Sequence, residues 1–320
     1  MKFLIWIVAI SVVCAHPPRL VEIAKKVNSM KTTWLANEAI ATRDYSKLIG
    51  VLESNKRLPV KHITPLKEFP EFFDAAEHWP ECPIINEIRD QANCGSCWAF
   101  GVVETANDRL CIDSKGAIQA RLSEEDLVTC CPNCGGCKGG VTSTAWQSFT
   151  EKGISTGGPH GSTEWCNAYT FPKCEHHGAG SGVYPPCGAT QDTPVCVEKC
   201  QDGYPIPYEK DKYYFEEAYG VEESVEAIKT ELMTNGPVQA VICCFEDFMT
   251  YKSGIYQYVT GGYKGKHAVK IVGWGVEDGV EYWKVANSWN EDWGEKGFIR
   301  IKFGAVSIEK YVNAAHARLN

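Results

Sequence analysis

The chain reads as an α+β protein of two lobes, a mainly helical one followed by a β-rich one, with a cleft between them. Three observations lead there. Behind Cys97 the apolar residues Ala99, Val102, Val103, Ala106 and Leu110 recur at intervals of three and four, the period of a helix with a buried face. From Val221 onward the pattern changes to a capped helix followed by strand-like apolar runs. With 320 residues, 44% hydrophobic and 22% charged, the chain can bury a core in each lobe.

The N-terminus comes first in the chain. Lys2 precedes an apolar run from Phe3 to Val13, and Val13-Cys14-Ala15 offers small residues for cleavage. Residues 1–15 are therefore expected to be a signal peptide, too short to span a membrane. No later run reaches spanning length, so no membrane partner is expected. A net charge of −8 without a long basic run argues against nucleic acid. Sixteen cysteines point to an oxidising compartment, so a secreted or lysosomal protein. Without Cys14 the count is odd, which leaves at least one unpaired thiol. No Asn-x-Ser/Thr acceptor occurs, so lysosomal sorting by a sugar on Asn is not expected.

From His16 to Lys67 the composition shifts to Lys and Glu, with a single glycine and no cysteine. Val21, Ile23, Ala24 and Val27, then Trp34, suggest a short amphipathic helix and an apolar plug. Residues 16–68 are expected to be a removable pro-segment rather than a permanent subdomain, leaving 69–320 as the mature domain. Its helical lobe spans roughly 80–205 and includes a second helix from Gly140 to Gly153. The β lobe spans roughly 206–312. There Ser224 caps a helix bearing Val225, Ile228 and Leu232, which Asn235-Gly236-Pro237 stops. The runs Val238–Ile242, Ala268–Val272, Tyr282–Val285 and Phe298–Phe303 read as strands, with an Asp278-Gly279 hairpin between the second and third. They suggest a twisted antiparallel sheet or partly closed barrel.

The chemistry concentrates in Gln91-Ala92-Asn93-Cys94-Gly95-Ser96-Cys97-Trp98. Cys97 falls at a helix N-terminus, where free N–H groups and the helix dipole favour an anion. A thiol there, paired with a cationic imidazole, ionises readily and becomes a nucleophile. His267 heads the strand that runs into Gly273-Trp274-Gly275, and Asn287 ends the next strand across the hairpin. Neighbouring antiparallel strands can set them side by side, with Trp289 shielding their hydrogen bond. His267 would be the base, Asn287 its orienting partner, and Gln91 with the Cys97 N–H the oxyanion donors. A zinc or redox Cys-x-x-Cys reading accounts for neither Gln91 nor the distant His and Asn.

These residues resemble the papain family of cysteine proteases, and its cathepsin B-like subgroup, over essentially the whole chain. Gln91, Cys97, His267 and Asn287 match that family's catalytic positions one by one. Cys174-Glu175-His176-His177, closed by Pro185-Pro186-Cys187, is similar to the subgroup's occluding loop (174–187). The resemblance implies a papain-like two-lobe fold with a β-barrel-like second lobe. It implies a lysosomal or secreted cysteine protease with endopeptidase and peptidyl-dipeptidase activity, in which His176 and His177 receive a substrate's terminal carboxylate. Gly139, Gly140, Trp289 and Tyr311 would also contact substrate.

Family pairing further implies disulfides Cys82–Cys111, Cys94–Cys137, Cys130–Cys196, Cys131–Cys134, Cys166–Cys200 and Cys174–Cys187. That leaves Cys97, with Cys243 and Cys244 as buried, small apolar residues. The expected partners are protein and peptide substrates, the chain's own pro-segment and cystatin-type inhibitors, for a monomer with no metal or cofactor. The alternative, a non-catalytic disulfide-rich binding protein on the same fold, would have lost Cys97, His267 or Asn287; none is lost. A zinc module on Cys130, Cys131, Cys134 and Cys137 is a further alternative, which metal analysis would separate.

Four departures from the family pattern matter. Ala92 stands for a glycine. Lys266 replaces the glycine before His267 and is expected to disfavour the imidazolium. The arginine that would pair with Asp292 is missing among Gly182, Val183 and Tyr184, so a looser loop and a larger endopeptidase share are expected. The chain near Gly304–Ser307 is shorter than the family's, and Tyr311 falls where the subgroup carries an acid in its second specificity pocket. Apolar or aromatic side chains, and not Arg, are therefore expected there.

Overall fold

A computed structural model describes residues 19–40, 45–176 and 183–319. The expected signal peptide and His177 lie outside the described residues. The helix Cys97–Asp113 is the axis of the first lobe, and every residue from Cys97 to Cys111 in it is buried. That is why its apolar stripe is broad rather than sharply one-sided: a helix enclosed on all faces needs no polar face.

Some of the polar residues it carries are paired inside. Arg109 donates to Glu231 at 2.9 Å and to the Pro237 carbonyl at 2.9 Å. Lys270 pairs with Asp108 at 2.8 Å. Glu104 is fully enclosed, and burial pushes its carboxyl up to about 8, so it is largely the neutral acid at pH 7. Glu124–Cys130 and Thr142–Glu151 pack against this axis. Ser123 caps the first of these through its hydroxyl, which accepts the Asp126 N–H. Disulfides join Cys82 to Cys111, Cys94 to Cys137, Cys130 to Cys196, Cys131 to Cys134, Cys166 to Cys200 and Cys174 to Cys187.

In the second lobe, the helix Val225–Asn235 starts where the Ser224 hydroxyl accepts the Ala227 N–H at 3.0 Å. It stops at Gly236, where φ is +104° and a Cβ would lie 2.4 Å from Ile112. A ten-stranded sheet follows. From one edge it runs Trp34–Ala36, Tyr251–Tyr256, Phe298–Lys302, Val280–Ala286, Tyr263–Glu277, Val238–Phe245, Val312–Ala314, Tyr219–Val221 and Val60–Lys61. Phe73–Asp74 pairs with the long central strand.

The sheet stays open rather than closing into a barrel, and two pairings are parallel, Tyr251–Tyr256 with Phe298–Lys302 and Val60–Lys61 with Tyr219–Val221. Both edge strands belong to the N-terminal segment. The hairpin turns at Asp278-Gly279, both at positive φ (+51° and +76°), as a tight two-residue turn requires.

The central strand is much longer than the run Ala268–Val272 suggests. Gly273 looks like punctuation in the sequence, yet it continues the strand. Its bare Cα admits Phe73–Asp74, because a Cβ there would lie 2.2 Å from the Phe73 carbonyl. Cys244 is buried as expected, whereas Cys243 is only half-buried. The N-terminal helix Arg19–Ser29 buries Ile23, Ala24 and Val27. Trp34 is 2% exposed and packs 5.0 Å from the Tyr256 ring.

The enclosed Arg109–Glu231 pair gives a stability test. Burial alone would raise the Glu231 carboxyl, but Arg109 and the Tyr219 hydroxyl outweigh it and hold the group below its usual range. Replacing Arg109 with Met strands that carboxylate, so urea denaturation at pH 7 is expected to show a loss of about 3–5 kcal/mol. Because the folded-state pKa is depressed, the pair's contribution is present above the unfolded value, about 4.3, and is lost as pH falls through the folded one.

Candidate active site

Three structural accidents of sequence converge at the junction of the lobes. Cys97 is the first residue of the buried helix. His267 lies in the long strand opposite Ile242. Asn287 follows directly on the strand Val280–Ala286, whose last residue pairs with Lys270. The His267 Nε2 and Asn287 Oδ1 are 2.7 Å apart.

The Asn287 oxygen also accepts the Ser288 N–H at 2.9 Å, which fixes its amide orientation. An accepting oxygen requires the proton on Nε2. The Nδ1 lone pair is then buried and without a hydrogen-bond partner. The Trp289 ring lies 5.2 Å from the imidazole and covers it. Nδ1 is therefore the ring's acceptor nitrogen, the one that can take a proton once the site is opened.

Gln91 is held from its oxygen end. Its Oε1 accepts the Ser288 hydroxyl at 2.8 Å and the Trp289 indole N–H at 3.1 Å. Its Nε2 is thereby aimed the other way and donates to the carbonyls of Leu48 at 2.9 Å and Cys94 at 2.8 Å. Sequence reasoning placed Gln91 here but missed Ser288, which sets the direction of the amide. Its position between Asn287 and Trp289 was the only available signal.

The N-terminal segment runs through the junction, where Val51 bridges to Gly140 on one side and Lys266 on the other. Gly140 donates its N–H to the Gly50 carbonyl (2.8 Å) and accepts the Leu52 N–H (2.9 Å). The Val51 N–H donates to the Lys266 carbonyl at 3.0 Å. The Gly50 N–H donates to the Cys97 sulfur at 3.1 Å. Gly139 lies beside Leu52, where a Cβ would come within 2.9 Å of its side chain. Gly50 is the single glycine of that segment, and a Cβ on it would lie 1.9 Å from the Gly95 carbonyl. Only glycine can pass over the sulfur this closely.

Coverage decides the charges. Burial pushes the Cys97 thiol up to about 11, against the lowering effect of nearby N–H groups including those of Ala268 and Gly50. Burial also pushes the His267 imidazole down to about 4, only partly offset by Asn287. With the segment in place, both groups are held toward their neutral forms. Lys266, expected to disfavour the imidazolium, is engaged by the segment here. Its ammonium pairs with Glu53 of the segment at 2.7 Å and lies 4.9 Å from the Tyr311 ring centroid. Arg57 of the segment covers the same ring at 4.6 Å and donates to its hydroxyl at 3.0 Å.

The Cys174–Cys187 loop is fastened at its base. His176 is 1% exposed, and its Nε2 lies 2.6 Å from Asp90 Oδ1. Burial would raise the Asp90 carboxyl, but His176, Asn290 and the Ala92 N–H hold it below its usual range. The other Asp90 oxygen accepts from the Cys174 N–H (3.0 Å) and the Asn290 amide (3.0 Å). Lys173 grips Glu291 at 2.8 Å, and the Tyr184 hydroxyl donates to the same carboxylate at 3.3 Å. The sequence suggested a loop short of one ionic latch. The grip of Lys173 and Tyr184 on Glu291, legible only in three dimensions, fastens its base further.

A profile described as papain family cysteine protease matches residues 69–316. The chain belongs to the papain family of cysteine proteases. Among curated relatives of this cysteine peptidase is a "Cathepsin B-like cysteine proteinase" of Schistosoma japonicum, 49% identical over 267 residues, covering 82% of this chain and 78% of that protein. "Cathepsin B-like cysteine proteinase 6" of Caenorhabditis elegans is 42% identical, covering 92% and 82% respectively. Among solved structures, proCathepsin B S9 from Trypanosoma congolense superposes with a TM-score of 0.80 at 35% identity, covering 93% of this chain and 98% of that one. A procathepsin L 3 of Tenebrio molitor, at 19% identity and a TM-score of 0.66, shares the fold alone. The cathepsin B-like relationship is thus shown by sequence and by fold.

A neutral, covered thiol reacts slowly with alkylating reagents. Iodoacetamide at pH 7 is expected to modify Cys97 in the uncut chain at least about 100-fold more slowly than after removal of the N-terminal segment. Mass spectrometry of the Cys97 peptide reads both rates. Changing Gly50 to Val is expected to erase most of that difference by lifting the segment off the sulfur.

Proposed function

We propose that the chain is the zymogen of a lysosomal or secreted cathepsin B-like protease, with a signal peptide over 1–15, a pro-segment over 16–68 and a mature peptidase over 69–320. No described helix is long and apolar enough to cross a membrane. The observation that carries the reading is the seating of Gly50 on the Cys97 sulfur while Gln91 holds the Leu48 carbonyl. The segment fills the place of a substrate, but it presents an N–H to the nucleophile instead of a carbonyl carbon, so it blocks without being cut.

Once the segment leaves, water and substrate reach the pair. Cys97 passes its proton to His267 Nδ1, and the thiolate attacks the peptide carbonyl carbon. The oxyanion forms where the Gln91 amide and the Cys97 N–H can donate to it. His267 returns the proton to the leaving amine as the C–N bond breaks, which leaves a thioester on Cys97. His267 then deprotonates a water that attacks the thioester, releasing the acid and the free thiol. Asn287 keeps the imidazole in the productive tautomer throughout.

At the cleft end, the loop bearing His176 and His177 would receive a terminal carboxylate and direct dipeptide removal, alongside endopeptidase cleavage. His176 is oriented by Asp90 for that task, and His177 would be the contacting ring. Gly139 and Gly140 supply backbone pairing to the substrate, and Trp289 shields His267. Cystatin-type inhibitors would compete for the same cleft, and the enzyme would act as a monomer on proteins and peptides without metal or cofactor.

Labelling of the acid-activated protein with an epoxide inactivator tests the assignment. The adduct is expected on Cys97, and an adduct elsewhere overturns the reading. Gln91→Ala is expected to lower kcat/KM on a dipeptidyl fluorogenic substrate by about 100-fold, as for loss of one oxyanion donor.

A further inference from the structure

Removal of the N-terminal segment uncovers a pocket whose charge the protease reading does not use. The cavity beside Gly140 is lined, from the mature domain, by Val141, Val241, Lys266, Lys310 and Tyr311 among others. Those mature-domain residues include two lysines and no carboxylate. The only acid in the lining is Glu53, and it comes from the segment. Its carboxylate, on a largely exposed side chain, lies 2.7 Å from the Lys266 ammonium, which is 17% exposed with the segment in place. Lys266 leans on the Tyr311 ring at 4.9 Å.

We propose that Lys266 makes this pocket a receptor for an acidic side chain, so that peptides carrying Glu or Asp there are preferred substrates. This deepens the protease reading and rests on it. A peptide laid along the edge of Gly140 and the Lys266 carbonyl, as Gly50–Leu52 is, projects alternate side chains to opposite sides. One of them falls into this cavity, the pocket expected to take the second residue before the cut.

Three facts fix its sign. The ammonium is positioned by the aromatic face of Tyr311, which belongs to the mature domain and stays when the segment leaves. No mature-domain acid lines the cavity to neutralise it once Glu53 departs. The segment already satisfies it with a carboxylate. Arg57 shows that the Tyr311 face also accepts a cation, but with the segment gone an arginine there would meet Lys266 with no Glu53 to intervene. The earlier expectation of apolar or aromatic side chains is thereby extended to acidic ones, through a residue beside the floor rather than the floor itself.

The test compares fluorogenic peptides identical except for Glu, Gln, Leu or Arg at the second residue before the cut, using acid-activated enzyme at pH 6, where Glu is ionised. Glu is expected to exceed Gln in kcat/KM by roughly threefold to fivefold, mainly through KM, and the advantage should shrink in 0.5 M salt. In Lys266→Glu the order is expected to invert, with Arg above Glu. A Glu/Gln ratio of one or less in the natural enzyme overturns the inference, as does a ratio unchanged in the variant. If no peptide is cleaved and the epoxide fails to label Cys97, the protease reading falls and takes the inference with it. Cleavage without acidic preference removes the inference alone.

Discussion

The contact of the Gly50 N–H with the Cys97 sulfur sets the state of everything around it. It is possible only because Gly50 has no side chain to strike the Gly95 carbonyl. By closing the junction it keeps water from the two groups that would otherwise exchange a proton. Thiol and imidazole are each driven to the neutral form, in opposite directions and for the same reason, since burial penalises whichever form is charged. On the proposed mechanism, latency is therefore electrostatic as well as steric. The same covering holds the Gln91 amide on a carbonyl and the Lys266 ammonium on a carboxylate.

The two lobes are held by different means. All six disulfides fall between Cys82 and Cys200, where long stretches outside the central helix are irregular. The second lobe has none among its described residues and relies on its ladder of strands over a core of large aromatics such as Trp274, Trp283, Trp289 and Trp293. The N-terminal segment belongs to that ladder at both ends, through Trp34–Ala36 and Val60–Lys61. Its helix is further clamped where Arg19 grips Glu246 with two bonds of 2.7 and 2.6 Å. The segment is thus built into the sheet as edge strands as well as laid over the sulfur, which gives a short, disulfide-free stretch enough hold to stay seated.

Much of this was legible in the sequence, wherever one period or one side chain decides the outcome. The spacing behind Cys97 gave the central helix, Ser224 gave a capped one, and Asp278-Gly279 gave the hairpin that brings Asn287 alongside His267. What escaped was whatever depends on a distant partner. The apolar run stops at Val272, and nothing local reveals that Gly273 continues the strand because Phe73 needs the room. Two- and three-residue edge strands show no period to detect. The grip of Lys173 and Tyr184 on Glu291 joins residues more than a hundred positions apart. The covered state escapes the sequence for a related reason. A helix end favours an anion locally, but only the fold shows that a segment from the N-terminus seals the same sulfur from water.

Latency depends on the imidazole being neutral under the segment and able to charge once it is gone. Selective ¹³C labelling of histidine, followed by NMR titration of the His267 Cε1 resonance in the uncut chain and in the processed enzyme, reads that state. We expect the uncut chain to keep a neutral ring until the pH falls to about 4, and the processed enzyme to carry imidazolium at pH 6. A charged ring at pH 6 beneath the intact segment would contradict the account.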